Sequence, residues 1–437
     1  MIPLQPAPAG LPSRSFGGPR RGGLVAWSRW RWLFAAPHRL GFFGGALMLG
    51  LSATWWAAML VARFGGLALP WAVAPGTAHA LLMAFGFMPM FFTGFLFTAG
   101  PRWLGVPALP VRTIAPGVGL MLAGWALALP GFHLSSALAG LGLGGVCLGF
   151  MLMTAQFGLL LADSRAEDKD HARIVLAALC AGALALWSAA LAVTWQADAA
   201  ARAAVWAALW GCFGVVFVTV AHRMIPFFAA AALPGDAAWR PRAVLVGLVA
   251  LVAVQAPFAA AEALFGPLPG ALALLRAAVE GLGALLLFWL SLRWGLRQSL
   301  SIRLLAMLHL GFFWLAVAMA LGGVSHLLQA FSGGALSLGL APVHAFTMGY
   351  LGSTLLAMAT RVACGHGGRA LAADRWAWAM FWVLQVGVVA RVTAALWPQA
   401  GTPLTLLAAQ CWLAAVGAWA LRYGRWMLQP RADGRPG

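Results

Sequence analysis

The chain has 437 residues and a formal charge of +18; 62% of its residues are hydrophobic and 9% are charged, with a mean hydropathy of +0.88. A soluble domain carries ~25% charged residues, so this composition excludes an ordinary soluble fold and places the chain in lipid. The charge is almost wholly arginine, with Lys169 the one lysine, and it gathers at the ends of apolar runs, where basic residues anchor to lipid phosphate, so nucleic acid is excluded as a partner.

Residues 1–35 read as a disordered basic tail, rich in Pro, Gly and Arg. Arg20 and Arg21 invite a twin-arginine reading, but Arg29 and Arg31 interrupt what would be the apolar core of such a signal. A transmembrane domain is expected over 36–426, with a short basic tail at 427–437. Apolar runs long enough to cross ~30 Å of hydrocarbon number about twelve. They fall near 40–62, 77–100, 112–131, 134–161, 173–195, 200–228, 242–265, 268–292, 302–323, 336–360, 375–397 and 402–424. The expected fold is an all-α polytopic membrane bundle.

Placing both termini in the cytoplasm puts all but four of the 28 basic residues inside or at inner helix ends. Arg63 and Arg202 fall in outer loops, and Arg276 and Arg391 within helices. The acidic loop 163–170 also lies inside. Gly140 with Gly144, and Gly145 with Gly149, recur at packing spacing on the fourth helix. The five cysteines show no CxxC spacing and four lie in apolar helices, which excludes a disulfide framework or zinc ribbon.

Five histidines lie within helices or close to their ends: His79, His222, His309, His326 and His344. An intramembrane histidine needs a partner or stays neutral at a cost, so each is a functional candidate beside the plain alternative of a packed core imidazole. By depth, His79, His344 and His326 fall toward the outer face, and His222 and His309 toward the inner one. Met83 follows His79 by four residues and Met348 follows His344 by four, on one helix face. Imidazole with thioether suits haem iron or copper, although methionine is also ordinary membrane packing. Three outside-to-inside helices end alike, at Arg102, Arg223 and Arg361, and they are every fourth helix, as a threefold repeat of four helices would produce. Arg276 and Glu280, at i and i+4 near mid-membrane, are expected to pair and face the bundle interior.

Four stretches together resemble the NnrS family: LFAAPHRLGFF from Leu33, HALLMAFGFMPMFFTGFLFTAGPRWLG from His79, HRMIPFF from His222, and HAFTMGYLGSTLLAMATRVACGHGGRAL from His344. The resemblance implies a haem- and copper-containing protein of the bacterial inner membrane, associated with nitric oxide and denitrification. It implies His79 and His344 as the leading haem ligands, with His222, His309 and His326 behind them and Arg102, Arg223 and Arg361 facing haem propionates. Copper, the second cofactor, would take His79, Met83, His344 and Met348. One departure bears on copper: family members commonly carry His-x-His-Glu at the start of the second helix, and here Leu81 and Leu82 follow His79 in place of the second histidine and the glutamate. The rival classes are a secondary transporter or channel, and a membrane factor delivering haem or metal. With no nicotinamide or flavin module in sight, electrons would come from quinol or a redox partner.

Overall fold

The computed structural model describes residues 30–233 and 238–434, and every regular element among them is helical. Most of the expected tail 1–35 therefore lies outside the described residues; its last part holds a 3-10 turn, Arg31–Phe34. We number the long helices α1 (Pro37–Phe64), α2 (Pro75–Leu104), α3 (Val111–Leu134), α4 (Ser136–Asp163), α5 (Asp170–Thr194), α6 (Asp198–Ala230), α7 (Arg242–Phe265), α8 (Gly270–Arg293), α9 (Arg303–Phe331), α10 (341–366), α11 (Arg375–Leu396) and α12 (Pro398–Met427).

Eleven of these are long and apolar enough to cross a membrane. The twelfth, α10, is three consecutive helical segments, Ala341–His344, Ala345–Gly352 and Ser353–His366. Its status as a crossing follows from a contact between the first helix and the last: Arg39, at the start of α1, donates to the carbonyl oxygens of Met427, the last residue of α12, and of Gln429 just beyond it. Start and finish on one face require an even number of crossings. Residues 428–434 are tied there too, since Ala432 N donates to Gly367 O at 2.9 Å.

Contacts between helices repeat every fourth helix: α4 packs on α5, α8 on α9, and α12 on α1, which closes the ring. The three helices that share an arginine ending, α2, α6 and α10, are all interrupted inside the bundle, and so is α7. In α2 the break has a plain cause. Pro89 lacks an N–H and its ring clashes with the carbonyl four residues back, so the helix stops at Phe85 and restarts at Met88; the freed Phe85 oxygen accepts from Trp125 Nε1. Pro257 interrupts α7 in the same way between Ala253 and Gln255. In α6 and α10 the interruption is a π-helical turn, Leu209–Gly214 and Ala345–Gly352. The two turns pack together, with Trp210 stacked on Phe346 at 3.9 Å.

Small residues set how closely helices approach. On α4, Gly140 faces Thr194 of α5 and Gly149 faces Gly117 of α3, whereas Gly144 meets open space and packs nothing. On α9, Gly322 lies against the Glu280 carboxyl and Gly323 against the α8 backbone at Gly281. That close contact carries α9 on to Phe331, so His326, expected just past the helix, lies inside it. Likewise His366, expected in a loop, is the last residue of α10. Asp374 caps α11 by accepting from Ala377 N, and Arg422 of α12 binds the same carboxylate with both terminal nitrogens; that guanidinium holds the Asp374 carboxyl below the usual range.

Candidate functional site

The outer ends of α2 and α10 bring His79 and His344 within electrostatic reach of each other, and Arg391 of α11 within reach of both. His79 stacks on Trp56 of α1 at 4.0 Å between ring centres. Its Nδ1 is buried without a hydrogen-bond partner among the described residues. The His344 ring places Nδ1 2.9 Å from the carbonyl oxygen of Leu340. A carbonyl can only accept, so Nδ1 carries the hydrogen and Nε2 keeps its lone pair, the arrangement that metal-ligating imidazoles show. Beside these residues an open groove of about 390 Å³ is lined by Leu340, Arg391, Thr402 and Thr405 among others.

The methionines fare differently. Met83 is half-buried against the core one turn from His79. Met348 lies within the π-helical turn that starts directly after His344. Hydrogen bonds there run i→i+5, which shifts the register by one residue and turns Met348 away from the position an α-helix would give it.

His326 belongs to another cluster. Its Nδ1 lies 2.6 Å from Glu280 Oε2 and its Nε2 3.4 Å from Glu262 Oε1. Both nitrogens face carboxylates, so His326 has none to offer iron. Arg276 pairs with Glu280 at 3.3 Å as its spacing predicts, and it also binds Glu262 and Gln255.

At the inner face, histidines meet in pairs. His222 Nδ1 is 3.0 Å from His171 Nε2, and His222 Nε2 is 3.2 Å from Pro241 O. His38 and His366 lie 4.3 Å apart between ring centres. His309 joins neither pair, and both of its ring nitrogens are buried without a partner among the described residues. The inner-end arginines expected to face propionates are at the opposite end from His79 and His344. Arg223 lies over Trp103 and Arg361 over Phe228 at 3.7 Å, while Arg102 is exposed. The arginine within reach of the outer histidines is Arg391.

Between α1, α2, α6 and α10 lies an apolar cavity of about 60 Å³, walled by Phe42, Phe91, Phe95, Phe217, Met358 and Ala359 among others. Thr354 is the polar residue on its wall, and its hydroxyl has no hydrogen-bond partner among the described residues. A water needs two to four polar partners, so this space is dry.

The family described as NnrS protein matches residues 32–431, from before α1 to beyond α12. The chain belongs to the NnrS family. No curated protein matches it. The NnrS region contains both members of every histidine pair described above. Among the described residues, no three His, Cys, Asp or Glu side chains stand together as a ready metal site.

Sequence reasoning passed over four residues that the structure brings into play. Arg391 was noted as intramembrane but given no partner, since its relation to His79 joins α2 and α11. Glu262 sits in QAPFAAAEALF, where a lone glutamate near a helix end looks like a solvated one. His38 stands beside Arg39 in the family-like APHRL stretch, the one local signal that could have found it. His171 looks like a loop residue after the acidic segment, and only packing places it on His222.

Proposed function

We propose that this NnrS-family membrane protein binds haem in its outer half through His344 and His79, with copper as the alternative metal for the same residues, and acts in nitric oxide handling in the bacterial inner membrane. The observation that carries the reading is the hydrogen bond from His344 to Leu340, which fixes the ring so that Nε2 remains a free lone-pair donor. The residues suit the group: His79 Nδ1 has no partner among the described residues, His344 keeps Nε2 as a lone-pair donor, Trp56 gives an aromatic wall, and Arg391, which lines the adjoining groove, suits a propionate. Bound haem would supply iron chemistry toward a neutral diatomic. The protein's share is to hold the ring, pair its charge and keep water away. The dry cavity of the inner half suits an apolar gas and excludes ions. Electrons for any reduction would come from quinol or a redox partner.

The test is the absorption spectrum of protein purified after haem-replete expression. A Soret band is expected. Folded protein without one would favour the transporter or channel reading, to which a buried charge cluster is also open; haem that passes readily to an acceptor protein would favour delivery.

A further inference from the structure

The cluster on α7, α8 and α9 has an unbalanced charge. Glu262 and Glu280 bring two negative charges and Arg276 one positive. His326 stands between the two carboxylates, with one ring nitrogen toward each. A neutral imidazole has one N–H and one lone pair, so in that state a lone pair faces a carboxylate across 3.4 Å or less. One further proton, held on His326 or on either glutamate, removes the conflict and neutralises the whole cluster. A bare metal cation is a worse fit, because the Arg276 guanidinium already occupies the space between the carboxylates.

The cluster also has a direction. The Glu262 side chain keeps 22% of its surface, against 8% for His326 and 3% for Glu280. Glu262 is three residues from the outer end of α7, and Glu280 is ten residues below the outer end of α8, roughly 15 Å at 1.5 Å per residue. Gly322 gives the Glu280 carboxyl its niche, since a methyl group there would meet that carboxyl at 2.9 Å. Beyond Arg276 lies Gln255, fully buried, with its amide nitrogen unpartnered. Tyr350 of α10 packs on Phe312 of α9, and its hydroxyl has no hydrogen-bond partner among the described residues. Asp198 pairs with Arg202 and accepts from Thr77, and His344 is bound to Leu340.

We propose that Glu262, His326 and Glu280, clamped by Arg276, form an outward-facing proton-exchange site, with Glu262 as its door and Glu280 as its inner terminus. A proton taken from outer water by the Glu262 carboxylate passes to His326 Nε2 while the Nδ1 proton moves to Glu280 Oε2. One proton enters, one is held, and no electron moves. The site does not depend on haem, and its test does not involve haem.

The chain has three glutamates, and the third, Glu167, lies in the inner loop. Carboxyl-labelled glutamate therefore reports this cluster and one control from the opposite side. Full-length protein so labelled, in sealed vesicles of known orientation, is given a pH jump on one side while infrared difference spectra follow the labelled carboxyls. An outer jump is expected to move Glu262 and Glu280, and an inner jump to move Glu167 alone. Glu262→Gln should slow the deep response by about tenfold or more, a barrier of at least ~1.4 kcal/mol. His326→Gln should abolish the Glu280 response and leave that of Glu262. The wild-type measurement decides even if a variant fails to fold: deep glutamates that ignore the outer jump, or follow the inner one, overturn the proposal and leave a static ion cluster.

Discussion

Arg39 Nη1 donates to the carbonyl oxygen of Gln429 at 2.6 Å, joining positions 390 residues apart. A bond between the first helix and the residues after the last holds if the helices cross an even number of times. It makes α10 a crossing despite its interrupted, less apolar sequence. The arginine bias then assigns this face to the cytoplasm. A reporter active only in the periplasm, fused after residue 434, should be silent, and one fused in the loop between Phe331 and Ala341 should be active. Activity at the C-terminus would overturn both the parity and the orientation.

Arg276 is bound on three sides, by Glu262, Glu280 and Gln255. Arg276→Gln leaves the buried Glu280 carboxylate and the partly exposed Glu262 without their cation and should cost up to ~3–5 kcal/mol of stability. Arg276→Gln with Glu280→Gln removes one carboxylate as well, and leaves Glu262 opposite His326. The double variant should therefore unfold at a higher temperature in detergent than the single one, and yield more folded protein. If the double variant is the less stable of the two, charge balance is not what holds this part of α8.

Hydrophobic runs were enough to find the helices of the bundle, eleven of them long and apolar enough to cross a membrane, because that depends on residue type alone. The i, i+4 pairing of Arg276 with Glu280 was legible for a similar reason: helix geometry brings those positions together whatever else happens. What stayed hidden depends on contacts between helices. Nothing in AFTMGYLG marks a π-helical turn, so the i, i+4 spacing of His344 and Met348 was read on α-helical geometry. His326 looked like a loop residue because Gly322, Gly323 and Ser325 precede it, yet those small residues serve close packing rather than helix termination. The pairs His171–His222 and His38–His366 join segments far apart in the chain, and no local pattern encodes them.

The apolar cavity behind Phe217 and Met358 should take up a small inert gas. Xenon added to the purified protein should give a saturable shift in its resonance. Ala359→Leu, which places new methyl groups into the space, should remove that shift. A side chain that fills a void avoids the ~1–3 kcal/mol cost of overpacking a filled core. A wild-type xenon signal in Ala359→Leu, or a stability loss in that range, would argue against this cavity as the gas site.

His344 and His79 make separable predictions for haem. Both keep some accessible surface, and removing one partly exposed imidazole costs a large bundle little, so His344→Ala should insert normally while its Soret band is lost or shifted. His79→Ala should act alike if both rings serve one iron. A change confined to a copper signal would assign His79 to copper instead. Arg391→Gln should keep the band position, because it removes no ligand, and weaken haem retention about tenfold, ~1.4 kcal/mol. His366 would not serve as a silent control, since its ring packs against His38. His133, already held by Pro70 O and Trp55, is the better one. His309 is the rival ligand because both of its nitrogens are free. Unchanged spectra in His79→Ala and His344→Ala, together with loss in His309→Ala, would move the haem inward and sink the outer assignment, since the distance between these levels is too great for one iron to draw on both.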